Sequence, residues 1–182
     1  MNNYIIFLKG INVGGHKKIL MADLRELLSN TGFKNVETYI QSGNIVLQSS
    51  EKSLLDIEEI VKTTIFKKFG YEVSVLAKTR QDLECIFDTC PFSEEKKKSS
   101  YFVMLHNTPS PDLIKVASKK VYEDEEYKII KNCIYFFSEK GFGKAKFNVN
   151  YFEGKLNTFA TARNYNTMLK LIAMSLKSEK EP

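Results

Sequence analysis

The sequence predicts an α+β fold: two βαββαβ units with antiparallel sheets and helices packed on one face. Three observations carry that reading. The order strand, helix, hairpin, helix, strand, helix occurs twice along the chain. Matching strands read alike, Tyr4-Ile-Ile-Phe-Leu against Tyr101-Phe-Val-Met-Leu and Ile45-Val-Leu against Ile134-Tyr-Phe. Between the two copies lies Ser93-Glu-Glu-Lys-Lys-Lys-Ser-Ser100, a charged, small-residue stretch with the composition of a linker. The expected division is therefore 1–92 and 93–182, each a ferredoxin-like subdomain with a trailing helix.

In the first copy, Tyr4–Lys9 is a β-branched and aromatic run, read as a buried strand. Gly10 to Leu20 is a loop. Met21–Leu28 repeats apolar residues on one helical face, and Gly32 closes it. Val36–Ile40 and Ile45–Gln48 form a hairpin through Gln41-Ser-Gly-Asn44, with Gly43 at a position suited to positive φ. Leu54–Phe69 has helical period and stops at Gly70. Glu72–Ala77 is the fourth strand, and Arg80–Phe87 is a short amphipathic helix before Pro91.

In the second copy, Tyr101–His106 is a strand and Pro111–Ala117 a helix with Pro in its first turn. Tyr127–Lys131 and Cys133–Ser138 form a hairpin, and Phe142 to Lys155 reads as one helix. Thr158–Thr161 is a short strand. Asn164–Leu176 is the final helix, with Thr161 as its expected N-cap and Leu169, Ile172 and Leu176 facing inward.

The copies differ in one place. Tyr4 and Tyr101 lie 97 positions apart, but Ile45 and Ile134 only 89. The first copy thus carries about eight extra residues between first strand and hairpin, most of them in the Gly10–Leu20 loop. Length beyond structural need points towards function.

The bulk properties bound what that function can be. Of 182 residues, 43% are hydrophobic and 27% charged, an ordinary globular balance, and the formal net charge is +5. This mild excess permits a small anionic ligand or a nucleic acid as partner and requires neither. The three cysteines show no zinc spacing or disulfide framework, so no metal and no cofactor is expected. No leader peptide and no membrane-length apolar run is apparent, which makes the cytoplasm the expected compartment. Oligomeric state is open.

Three segments have the character of a site. Gly10-Ile-Asn-Val-Gly-Gly-His-Lys-Lys18 joins a strand to a helix. Its glycines allow backbone N–H groups to turn towards an anion, and Lys9, Lys17 and Lys18 add charge with no acid between them. It is neither a Walker A nor a GxGxxG motif, and its glycines could instead serve tight turns. Gly141-Phe-Gly-Lys-Ala-Lys146 repeats the pattern after the second hairpin, with Gly143 and Lys144 as candidates beside the plain reading of a strand-to-helix turn. In Thr158–Thr167, Arg163 falls in the expected first turn of the last helix, where a cation is disfavoured and an acidic partner is implied, internal or bound. Asn164 is a ligand candidate or a cap.

The leading expectation is a glycine-rich basic cleft between the halves, binding a phosphate-bearing anion (a nucleotide, a phosphorylated metabolite or a nucleic acid). Lys9, Gly10, Asn12, Gly14, Gly15, His16 and Lys18 would hold it, with Ser42 and Asn44 orienting it and Gly143, Lys144, Arg163 and Asn164 approaching from the other half. Two other classes stay open. A small enzyme would use His16 or a lysine as acid or base on the same ligand, with no catalytic residue fixed by the sequence. A protein-interaction module would use a sheet or the basic face.

Leu8-Lys-Gly-Ile-Asn-Val-Gly-Gly15, Thr38-Tyr-Ile-Gln-Ser-Gly-Asn44, Gly141-Phe-Gly-Lys144 and Thr161-Ala-Arg-Asn-Tyr-Asn-Thr167 together resemble the bacterial family called domain of unknown function 1697. Lys9 and Lys144 stand where that family tends to have Arg, and Tyr165 where it tends to have Trp. Lys keeps the charge but loses the bidentate fork. The resemblance implies a two-subdomain α+β fold and carries no activity, substrate or catalytic residue.

Overall fold

The structure is a computed structural model that describes residues 1–180, with side chains through residue 177. Its elements run β1 (Asn2–Leu8), α1 (Met21–Asn30), β2 (Lys34–Tyr39), β3 (Asn44–Ser49), α2 (Leu54–Phe69), β4 (Val75–Thr79) and α3 (Arg80–Asp88). They continue as α4 (Glu94–Lys98), β5 (Tyr101–Leu105), α5 (Pro111–Ala117), β6 (Glu125–Ile130), β7 (Cys133–Ser138), α6 (Val149–Leu156), β8 (Ala160–Asn164) and α7 (Tyr165–Lys180). Two compact units result: Met1–Glu84 with the chain from Lys170 onward, and Cys85–Leu169.

Each unit holds one four-stranded antiparallel sheet. The orders β2-β3-β1-β4 and β6-β7-β5-β8 are the same topology, the ferredoxin-like arrangement expected from the element order. Registers repeat as well. Leu8 N–H donates to Gly43 O and Leu105 N–H to Asn132 O, both at 2.8 Å. Lys9 N–H donates to Ser74 O and His106 N–H to Phe159 O, both at 3.0 Å. These pairs set Leu8 against Leu105, and Gly43 against Asn132, reproducing the 97- and 89-residue offsets read from the sequence.

The first core forms where one face of its sheet meets two helices. Ile6, Leu8, Ile45, Leu47 and Ala77 point at Leu24 and Leu28 of α1 and at Ile57, Val61 and Ile65 of α2. Ser53 starts α2, its Oγ accepting the Asp56 N–H at 3.2 Å, and Gly70 ends it at φ 72. Replacing that cap, Ser53→Ala, is expected to lower stability by about 1 kcal/mol in urea denaturation. In the second unit Val103, Leu105, Ile134 and Phe136 pack with Phe147, Phe152 and Leu156.

The trailing helices repeat too, and here the structure corrects the sequence reading. Thr79 and Asn164, the last residues of β4 and β8, both act as caps. Thr79 and Asp82 form a reciprocal box, Thr79 N–H to Asp82 Oδ2 at 3.0 Å and Asp82 N–H to Thr79 Oγ1 at 3.1 Å. Asn164 Oδ1 accepts the Thr167 N–H at 2.9 Å. Thr161 is therefore not a cap. It and Arg163 lie in β8, two strand positions apart on one face. On α7 the buried positions are Thr167, Met168, Leu171 and Ser175, whereas Leu169 and Leu176 are exposed.

Two other segments depart from expectation. Ser93–Ser100 is not an irregular linker. Ser93 caps α4, and the Lys97 stem is buried with its ammonium 4.1 Å from the Phe87 ring centroid, so a basic residue anchors the segment. The expected helix from Phe142 is two pieces, a 3₁₀ turn at Phe142–Lys144 and α6. Asn148 separates them, its Oδ1 accepting from Asn150 and Tyr151 N–H. Phe142 and Phe147 both reach the core from outside α6, Phe147 lying 4.3 Å from Phe136 between ring centroids. The fourth strand begins at Val75, not Glu72.

Candidate functional site at the glycine hairpin

Between β1 and α1 the chain makes a miniature hairpin. Asn12 N–H donates to Lys17 O at 3.2 Å and His16 N–H to Val13 O at 3.0 Å. Gly14 and Gly15 form the two-residue tip at φ 58 and 79, the left-handed pair that a type I′ turn requires. Asn12 at φ 54 and Lys17 at φ 45 share that conformation, so the segment from 10 to 17 is backbone-strained even outside its glycines.

Asn12 holds this hairpin in place. Its Nδ2 donates to Ile19 O at 2.9 Å and to Gln41 O at 2.8 Å, while Oδ1 accepts the Ile19 N–H at 2.9 Å. The amide thus ties the far strand of the hairpin and the β2–β3 turn to one point. Lys17 Nζ adds a bond to Glu72 O at 2.5 Å. Gly43 lets the two segments close up. A Cβ there would lie 2.6 Å from Leu8 Cβ and 3.1 Å from Ile11 Cδ1. Beneath, Asn44 is fully buried, its Nδ2 donating to Tyr39 O and to Ser42 Oγ.

The nine first-unit candidates therefore converge on one end of the first sheet, in two roles. Asn12, Ser42 and Asn44 shape the backbone. Gly14, Gly15, His16 and Lys18 are exposed, and Lys9 is half-buried at the end of β1. Among the described residues, no acceptor takes the N–H groups of Gly14, Gly15, Lys17 or Lys18. Backbone donors without a protein acceptor in an exposed turn can be directed at an anion. Gln41 and Gly43 complete the support. The sequence marked Gly43 by its turn position, but nothing in it revealed the contact with Leu8.

In the second unit, Gly143 and Lys144 are exposed on the 3₁₀ turn after β7, which sits by Tyr101 (Phe142 stacks on that ring at 4.5 Å). Asn164 pairs with Tyr101 across β5 and β8, so these three candidates share one end of the second sheet. By the repeat, it is the end where β5 begins; the glycine hairpin occupies the end where β1 finishes. A cavity of about 110 Å³ lies there, lined by Lys98, Ser99, Ser100, Tyr101, Asn164, Tyr165 and Asn166. Arg163 is 8% exposed, and burial pulls its guanidinium pKa down to about 10. It donates to Thr161 Oγ1 at 2.7 Å and Ala162 O at 2.8 Å, a strand residue with a built-in structural role. At the equivalent place in β4 stands another buried cation, Lys78.

Among the described residues there is no group of three or more His, Cys, Asp or Glu side chains placed to hold a metal ion. No helix is long and apolar enough to cross a membrane.

Among curated proteins none matches the chain. A solved structure does: the conserved bacterial protein SP0830 from Streptococcus pneumoniae is 27% identical, with a TM-score of 0.75 over 95% of this chain and 98% of that one. A family model, that of the protein of unknown function DUF1697, matches residues 1–135, from before β1 into β7. The chain belongs to that family.

Proposed function

We propose that the glycine hairpin binds a phosphate-bearing anion, with a nucleotide, a phosphorylated metabolite or a nucleic acid as the ligand class. One observation carries this reading: the backbone N–H groups of Gly14, Gly15, Lys17 and Lys18 lie on an exposed, braced hairpin without protein acceptors. Lys17 and Lys18 belong to the same loop and Lys9 precedes it, and the segment from Lys9 to Ala22 contains no acid. Backbone donors held rigid in advance bind an anion with little ordering cost. Asn12 and Asn44 act through the loop geometry; the ligand contacts fall to the backbone, His16 and Lys18.

A thermal-shift panel of inorganic phosphate, nucleotides, phosphorylated sugars and short oligonucleotides tests the reading. A ligand at one hundred times its Kd adds about 2.7 kcal/mol of stability. Lys18→Ala is expected to weaken that ligand about tenfold, in line with about 1.5 kcal/mol for a charge-assisted hydrogen bond. If no member of the panel shifts the wild-type transition, the proposal fails. A steep fall of affinity with salt would assign the ligand to nucleic acid.

A second reading has its own observation. Val13, Leu20 and Ile40, at 65%, 68% and 53% exposure, are large apolar residues on the hairpin, the start of α1 and the adjoining turn. Exposed apolar side chains grouped near one site suit a protein partner. Val13→Ser with unchanged anion binding but lost partner capture would favour it.

A further inference from the structure

Four strands lie at sheet edges, and three are blocked by the chain itself. On β4, the outward N–H groups of Ala77 and Thr79 donate to Glu58 Oε1 at 2.7 Å and Asp82 Oδ2 at 3.0 Å. On β8, Ala160 N–H donates to Glu153 Oε1 at 2.5 Å, and Ala162 O accepts from Arg163. On β2, the register shifts between Lys34 and Glu37, and Asn35 takes φ 48, a bulge that spoils regular pairing.

Strand β6 has none of these devices. It pairs with β7 in unbroken register from Glu125↔Ser138 to Ile130↔Cys133. Ile134 and Phe136 of β7 turn their backbone groups to β5, since Leu105 N–H bonds Asn132 O in the same alternation. Cys133, Tyr135 and Phe137 therefore face β6 and pair with Ile130, Lys128 and Glu126. The N–H and C=O groups of Glu125, Tyr127 and Ile129 point outward, and among the described residues no hydrogen bond is made to them. A groove of about 510 Å³ runs along this edge. Val121 and Tyr122 line it on the helix side, and Phe92, which packs on Phe137, lines it on the other.

The strand is also complementary to itself. With Tyr127 on a two-fold axis, antiparallel pairing sets Tyr127 against its counterpart and Glu125 against Ile129, so every outward backbone group meets another. The same register sets exposed Glu126 directly opposite exposed Lys128, twice, at the spacing of about 4.5 Å of a non-hydrogen-bonded pair. We infer that β6 docks β6 of a second copy in this register, joining two four-stranded sheets into one of eight strands. Glu126 keeps its contact with Lys96 on the same face, since a carboxylate can serve two cations. This inference is independent of the anion reading.

Analytical ultracentrifugation of the full chain over a wide concentration range tests it, together with two variants at exposed positions. The wild type is expected to show a reversible dimer of modest affinity, as a small edge contact should give. Lys128→Glu places like charges opposite each other and is expected to raise the dimer Kd at least about tenfold. The double variant Glu126→Lys, Lys128→Glu restores opposite charges and is expected to recover wild-type affinity. Far-UV circular dichroism confirms that both variants fold. A wild type monomeric throughout overturns the inference. So does a dimer that Lys128→Glu leaves intact, or one that the double swap fails to restore.

Discussion

Gly43→Ala is expected to destabilise the first unit by roughly 2–4 kcal/mol and to dislodge the glycine hairpin with it. Two penalties coincide at this position. Gly43 sits at φ 73, where a side chain is strained, typically by about 1 kcal/mol or more. The added methyl would also stand 2.6 Å from Leu8 Cβ, a backbone-anchored atom, and 3.1 Å and 3.2 Å from Ile11 Cδ1 and Cγ1. Leu8 and Ile11 are 1% exposed, so neither can swing away into solvent. Relief requires β1 and the β2–β3 turn to separate, which breaks the Leu8 N–H bond to Gly43 O and strains the Asn12 contact with Gln41. Gly70→Ala is the control: it shares φ 72 but has no atom within 4 Å of a new Cβ. Urea denaturation should show the smaller, purely conformational loss there. Equal losses at both positions would show that close packing at Gly43 contributes nothing.

What was legible in the sequence follows from range. Helix α2 is set by nearby residues, Ser53 at one end, Gly70 at the other and an apolar stripe between, and its bounds were read as they stand. The repeat was legible for the same reason, since element order needs only local pattern. The errors lie where distant contacts decide. Phe142 to Lys155 reads as one helix although Phe142 and Phe147 belong to separate pieces, because the core they fill is built by β5 and β7. Lys97 reads as linker charge until the Phe87 ring is under it. Arg163 reads as a misplaced helix cation because the boundary of β8 depends on pairing with β5, which extends the strand to Asn164. At the candidate site the sequence located the hairpin through its excess length. It could not distinguish residues that shape the loop from residues that face outward, because both are polar and close in sequence.

That distinction makes Asn12→Ala the more telling substitution for function. Alanine removes two donated bonds and one accepted bond at once, and it leaves Ile19, 2% exposed, with a buried N–H and C=O that have lost their partner. An unsatisfied buried group costs about 1–3 kcal/mol, and φ 54 adds strain that Asn tolerates better than Ala. A total loss of about 2–4 kcal/mol is expected by denaturation, with faster amide exchange across residues 12–19. Asn12→Asp separates geometry from charge: it keeps the acceptor for Ile19 N–H, forfeits both donors, and puts a carboxylate beside the lysines. If the hairpin binds an anion through pre-set backbone donors, both variants lose phosphate affinity although neither removes a ligand contact. Lys18→Ala should lose affinity with stability unchanged, since Lys18 is exposed. A ligand that binds Asn12→Ala as tightly as wild type would show that the braced hairpin is not its receptor.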